Sequence, residues 1–156
     1  MPRIALDTNV LVYAEGVERH PDDRRKVLLS QAIIRGLTRN SGWSAAVQAF
    51  AELHTVLVRR AGRPPHAATQ RVRELALSCS AAIPTSEQVF DEALTLAAHH
   101  HIQVYDAIVV AAAAEAGAEM LLSEDLHDGF AWQGVTVTNP YRQTPDPRIA
   151  ALLSTR

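Results

Sequence analysis

Arg3-Ile4-Ala5-Leu6-Asp7-Thr8-Asn9-Val10-Leu11 is the stretch that orders the rest of the chain. Arg3 to Leu6 has the pattern of a short buried strand. Asp7 stands where that strand gives way to a helix beginning at about Thr8. Acidic side chains at strand ends of α/β folds face the crevice in which ligands bind. Three further acids stand in places from which they could reach that crevice: Glu52, Asp106 and Asp125.

A length of 156 residues suits one domain, and 47% hydrophobic residues suffice for a sizeable core. Only 5% are aromatic, so Ala, Val, Leu and Ile must build that core. No apolar run approaches the roughly 20 residues of a bilayer span. The N-terminus lacks the basic and apolar regions of a signal peptide. The single cysteine, Cys79, excludes an internal disulfide and a Cys-rich zinc site. A cytoplasmic protein with no membrane association is expected. The net charge of -2 hides a bias, because Lys26 is the one lysine among 15 basic residues. Arg59, Arg60, Arg63, Arg71 and Arg73 lie close together. A high-GC genome and a solvated surface account for this run; so does phosphate binding, which suits the planar guanidinium fork. Both readings stand on sequence alone.

After the first helix, Thr8 to Ala14, Pro21 opens a second with Asp22 and Asp23 at its positive end. Gly42 to Ser44 is expected as a very short strand. The third helix, Ala45 to Ala61, is apolar almost all round and is expected to be largely buried. Pro64-Pro65 opens a fourth helix, and Ala81 to Ile83 suits another short strand. Thr85 with Gln88 forms a capping box for a fifth helix. His99-His100-His101 closes it. Consecutive helical residues do not share a face, so these histidines suit a helix C-terminus better than a metal site. Asp106 then begins a sixth helix as its cap, with Ala107 to Ala116 following. Glu119 to Ser123 and Val135 to Thr138 read as strands. Short strands alternating with helices specify one α/β domain with a parallel sheet.

Glu52 is the most telling acid. Gln48, Ala49, Thr55 and Val56 occupy the positions one helical turn away, so no basic partner is available locally. A buried charge without compensation is strongly destabilising, so Glu52 must be exposed, paired through space or bound to a cation. Asp106 repeats the argument, with Val109 and Val110 as its neighbours; a helix cap is its simple alternative. Asp125 follows a strand within Ser123-Glu124-Asp125, where a turn or cap also suffices. Four carboxylates in one pocket repel one another and drive some pKa values up. A divalent cation relieves that conflict, and all-acid oxygen ligation suits Mg²⁺ or Mn²⁺.

Leu6-Asp7-Thr8-Asn9-Val10-Leu11, Glu52, Tyr105-Asp106-Ala107 and Leu122-Ser123-Glu124-Asp125-Leu126 together resemble the PIN-domain ribonucleases. Within that family the chain most resembles the VapC toxins of bacterial toxin–antitoxin pairs. The likeness extends to Asn139-Pro140-Tyr141. It implies a PIN-like three-layer α/β fold, with a short-stranded parallel sheet flanked by helices. The nuclease domain would span 1–142; the segment 143–156 carries Pro145 and Pro147 and is expected, from those prolines, to be a peripheral tail. Asp7, Glu52, Asp106 and Asp125 would form a catalytic, metal-binding quartet for Mg²⁺ or Mn²⁺, with Asp7 and Asp106 as direct ligands. Thr8, Asn9 and Ser123 would shape the turn and orient acids. Gln48 would contact Glu52 or RNA, and Asp128 is a possible fifth acid or a surface residue. The resemblance further implies an endoribonuclease that leaves a 5′ phosphate, a homodimer, and a VapB-type antitoxin that holds it inactive.

Rival chemistries fit less well. A haloacid-dehalogenase-type phosphatase needs a second Asp where this chain has Asn9, and a lysine that Lys26 is not placed to supply. A receiver domain lacks its late lysine for the same reason. No glycine-rich turn follows the first strand, which removes a Rossmann cofactor domain. A housekeeping PIN nuclease and a non-catalytic PIN-like scaffold for RNA or protein remain as alternatives.

Overall fold

The strands are unusually short, and their position depends on a central apolar triplet. The computed structural model describes residues 3–154. Residues 1, 2, 155 and 156, at the ends of the two segments expected from sequence, lie outside the described residues. Strand β1 (Ile4–Leu6) lies at the centre, flanked by β2 (Ser44–Ala46) and β4 (Met120–Leu122). With β3 (Ala81–Ile83), β5 (Ala131–Trp132) and β6 (Val135–Thr138), the described strands form one sheet in the order β3-β2-β1-β4-β6-β5. All pairings are parallel except β5 with β6. Ile4, Ala5 and Leu6 stand in register with Met120, Leu121 and Leu122.

Alternation along these strands divides the core into two layers. Ile4, Leu6, Met120 and Leu122 pack with residues of α1 (Thr8–Ala14), α2 (Arg24–Asn40), α3 (Val47–Arg59) and α4 (Pro65–Ser78). Ala5, Leu121, Val135 and Val137 pack with α5 (Glu87–His100) and α6 (Val104–Glu115). Both faces of the central strands β1 and β4 are covered, which is why these two are apolar and buried throughout. In α6 every residue from Ala107 to Ala113 is buried, and its alanines let the helix lie flush on the sheet. The expected three-layer α/β architecture is therefore present. From β1 the chain runs to β2 and β3 on one side, then returns through α5 and α6 to β4 on the other. The crevice beyond the ends of β1 and β4 is thus the topological switch point, where α/β sheets bind ligands.

Several boundaries differ from expectation. Pro21–Asp23 form a 3₁₀ turn, and the second helix proper begins at Arg24. The second strand starts at Ser44, not Gly42. Helix α3 is less buried than its composition suggests: Val47 is 47% exposed, and Ala51 and Thr55 are also open. Ser86, not Thr85, caps α5, accepting the Val89 amide at 3.1 Å. Helix α6 begins at Val104 without a side-chain cap, so Asp106 sits inside its first turn. Strand β5 was not foreseen; it forms a hairpin with β6 through Gln133 (φ 44°) and Gly134 (φ 89°).

The segment from residue 143, expected to be a peripheral tail, carries a further helix, α7 (Pro147–Ser154). Its Ile149 and Leu152 are 0% and 2% exposed and join the core beside α2. Gly36 of α2 permits this approach, since a Cβ there would meet the Leu152 carbonyl oxygen at 3.2 Å. No described helix is long and apolar enough to cross a membrane. Ile149→Ala is expected to lower unfolding stability by about 2–5 kcal/mol in a urea titration, the range for a fully buried aliphatic side chain. A loss below about 0.5 kcal/mol, as for a surface substitution, would show that this segment is dispensable to the core.

Candidate active site

Asp7 leaves β1 at the switch point and caps α1. Its Oδ1 accepts the Thr8 amide at 2.7 Å. Its Oδ2 accepts the Ser123 hydroxyl at 2.7 Å and the Asn9 side-chain amide at 3.2 Å. Only 4% of the residue is exposed. Burial pushes the Asp7 carboxyl up to about 6; the hydrogen bonds from Ser123 and Thr8 oppose this, and the charges of Asp106 and Glu52 add to it.

Thr8, Asn9 and Ser123 tie the acids together across long sequence separations. The Thr8 hydroxyl donates to Glu52 Oε2 at 2.9 Å, and the Gln48 amide donates to Glu52 Oε1 at 2.8 Å. Glu52 therefore finds neutral donors, one from its own helix and one from α1. Asn9 Nδ2 also lies 3.3 Å from both Ser123 Oγ and Asp125 Oδ2. Ser123 Oγ in turn accepts the amides of Asp125 and Leu126, each at 3.3 Å. This hydroxyl shapes the turn after β4 while serving Asp7.

Asp106 approaches from the first turn of α6. Partial burial raises its pKa first, followed by the charges of Glu52 and Asp125. Among the described residues no hydrogen bond or salt bridge satisfies its carboxylate, in contrast to the other three acids. Asp125 pairs with Arg19 at 3.3 Å. The structure thus places Asp7, Glu52, Asp106 and Asp125 within electrostatic reach of one another, with Thr8, Asn9, Gln48 and Ser123 among them. Asp128 is directed elsewhere. It accepts the Asn139 amide at 2.7 Å and pairs with Arg142 at 2.6 Å, holding the chain after β6.

Sequence reading missed a brace behind the turn after β4. Lys26 pairs with Glu124 at 2.8 Å and with Asp23 at 3.3 Å, and the Tyr13 hydroxyl donates to Glu124. The one lysine among so many arginines was the available signal. Arg19, also missed, lies in a loop with no pattern to mark it. It lines a groove of about 600 Å³ that also includes Thr8, Glu52, Asp125, Arg59 and Arg60.

The donor set is all oxygen and mostly carboxylate, with two members pushed toward protonation by burial and mutual repulsion. Among the described residues no three His, Cys, Asp or Glu side chains gather into a ligand shell. A hard cation that keeps several waters and takes only one or two carboxylates suits such a spread set, as Mg²⁺ does; a dehydrated all-protein cage does not. The residues present fit a hydrated Mg²⁺ or Mn²⁺ ion.

The raised Asp7 pKa has a measurable sign. The folded state holds the Asp7 proton more tightly than the unfolded chain, so stability is lost as pH rises from 3.8 through about 6. In EDTA, the unfolding free energy of Asp7→Asn minus that of wild type should rise by roughly 2–3 kcal/mol between about pH 4 and pH 7. A difference independent of pH would show that burial does not hold this proton.

A PIN domain family model matches residues 4–130. No curated protein is significantly similar to the chain. Solved structures share the fold at low identity. A toxin–antitoxin complex from Klebsiella pneumoniae is 18% identical, with a TM-score of 0.63 over 88% of this chain and 98% of that one. VapC20 of Mycobacterium tuberculosis, described as a toxin cleaving the sarcin–ricin loop, is 15% identical, with a TM-score of 0.61 over 78% and 89%. VapBC2 from Rickettsia felis, bound to a DNA fragment from its promoter, is 16% identical, with a TM-score of 0.59 over 87% and 97%. With four acids at the switch point and a family match over most of its length, the chain belongs to the PIN domain family.

Proposed function

We propose that this protein is a Mg²⁺-dependent endoribonuclease, and specifically a VapC-type toxin held inactive by a cognate antitoxin. The observation that carries the reading is the convergence of Asp7, Glu52, Asp106 and Asp125 on one crevice, where the pKa values of Asp7 and Asp106 are raised. The likeness to toxin–antitoxin structures supports the inhibitory partner. The description of VapC20 supports RNA as the substrate. A homodimer and a cytoplasmic location complete the proposal.

Asp7 and Asp106 are assigned as direct ligands, and Glu52 and Asp125 as acids acting through bound water. When bound, the cation makes a water more acidic and neutralises charge on the scissile phosphate. The chain's own residues prepare the site. Ser123, Asn9 and the Thr8 amide fix both Asp7 oxygens. Thr8 and Gln48 hold Glu52, and Arg19 restrains Asp125. Asp106, free of such contacts, is the acid open to a ligand. Hydrolysis adds a water oxygen to phosphorus as the bond to the 3′ oxygen breaks, leaving a 5′ phosphate and a 3′ hydroxyl.

Incubation with a mixed RNA pool should give Mg²⁺-dependent cleavage that EDTA abolishes. Asp106→Asn should lower the rate by roughly 100-fold or more while leaving the circular dichroism spectrum unchanged. Full cleavage by that variant would sink the assignment. Sequencing 5′ ends after brief induction would identify the target, and growth arrest by the wild type alone would establish toxicity. Because the ligand form of Asp7 is the carboxylate, Mg²⁺ affinity should weaken with falling pH below about 6, approaching about tenfold per pH unit. A Mg²⁺ titration unaffected between about pH 7 and pH 5 would remove Asp7 from the ligand set.

A further inference from the structure

We propose that Arg59 and Arg60 form a phosphate-binding subsite for the RNA backbone, beyond the phosphate that is cleaved. The proposal rests on the endoribonuclease reading. Its basis is the division of an arginine run that looks uniform in sequence. Arg63 pairs with Glu15 at 3.0 Å, and Arg71 pairs with Glu15 at 2.8 Å and Glu74 at 3.4 Å. Glu15 is thereby used to fasten α4 and the residues before it to the end of α1. Arg59 and Arg60 have no carboxylate partner among the described residues. Both are exposed, and both line the groove that contains Thr8, Glu52 and Asp125.

Helical geometry explains why these two and not their neighbours face the groove. Gln48, Glu52, Thr55, Val56 and Arg59 follow the three- and four-residue spacing of one helix face. That face forms a wall with the acid at one end and the guanidinium groups at the other. Seven residues separate Glu52 from Arg59, which at 1.5 Å per residue is about 10 Å along the axis. The arginines are thus too far along the wall to share the scissile phosphate with Glu52, yet lie on the same path. A nucleic acid strand seated at the quartet is a polyanion, and this wall offers it unpaired cations. Guanidinium forks suit phosphate oxygens. The rest of the groove is lined by aliphatic side chains such as Val12, Val17 and Val56 and by polar ones that include Glu18, Arg19 and Thr55, none of them aromatic. They provide no aromatic platform for base stacking, so the subsite would read backbone charge and not sequence. An acidic protein segment would meet the same arginines but would run into Glu52 and Asp125 at the other end.

The test measures binding of a labelled oligouridylate to the full chain in Mg²⁺ across a salt series, in an Asp106→Asn background that does not cleave. Each phosphate contact contributes about 0.7 to the slope of log affinity against log salt for a single strand. Arg59→Gln with Arg60→Gln should lower that slope by about 1.4 and weaken binding at low salt by tenfold or more. Arg59→Lys with Arg60→Lys should restore most of the slope, since the charge is kept. Arg73→Gln is the control: it removes an exposed arginine of the same run that does not line the groove. Its slope should match the background. Equal losses for Arg73→Gln and the double Gln variant, or an unchanged slope in the double variant, overturn the subsite and leave Arg59 and Arg60 to another partner. If the wild-type protein fails to cleave the mixed RNA pool in Mg²⁺, the ribonuclease reading itself falls; if it cleaves and only the slope of the double Gln variant is unchanged, the subsite alone falls.

Discussion

The structure depends on a carboxylate kept away from water with too few charges to balance it. Asp7 is 4% exposed, and the groups that meet it are a hydroxyl, a carboxamide and a backbone amide. None carries a positive charge. A cationic partner would hold the carboxyl low; here burial prevails and moves it to about 6. Glu52 and Asp106 intensify the conflict by presenting more negative charge to the same crevice. The fold tolerates this arrangement because β1 and β4 pair in register, fixing Asp7 and Ser123 at adjacent strand ends. Active sites commonly store such locally unfavourable arrangements, which rigid surroundings maintain.

The arginines show how the surrounding structure confines that conflict. Arg19 reaches Asp125 but not Asp7. Lys26 is taken by Glu124 and Asp23. Glu15, close to the crevice in sequence, is committed to Arg63 and Arg71. Arg19 and Lys26 are thus engaged with acids outside the innermost pair, and Asp7 and Asp106 keep their raised pKa values. Local pairing elsewhere is what leaves the centre open to an external cation.

Much of this was legible in the sequence, for identifiable reasons. Asp7 was readable because a strand of three apolar residues ends abruptly before a helix. The demand that Glu52 find a partner was also readable from its neighbours, but its solution was not. Thr8 is distant in sequence, and Gln48 satisfies the acid without charge. The start of α6 was misplaced by three residues because an Asp before alanines looks like a cap, whereas the cap position is Gln103, without a side-chain cap bond. Strand β5 is two residues long, and its Gln133-Gly134 turn lacks the Asn or Asp that marks the commonest tight hairpins. Helix α7 was hidden by Pro145 and Pro147, which made the segment look peripheral, although proline is favoured at a first helical position. The apolar spacing of Ile149, Leu152 and Leu153 carried the contrary signal.

The hydrogen bond from Ser123 to Asp7 spans 116 residues of chain. The central pairing of β1 with β4 spans the same distance. During synthesis the first strand can pair early with β2 on one side but must wait for most of the protein to be made before β4 closes its other side. Contacts of such long range are slow to form, because loop closure must precede them. A translation product that stops short of residue 123 would contain Asp7, Glu52 and Asp106 but not the hydroxyl that secures them. The assembly of the crevice is thereby tied to the end of the chain: an interrupted polypeptide holds three of the four acids and none of the Ser123 bonds that join the two strand ends.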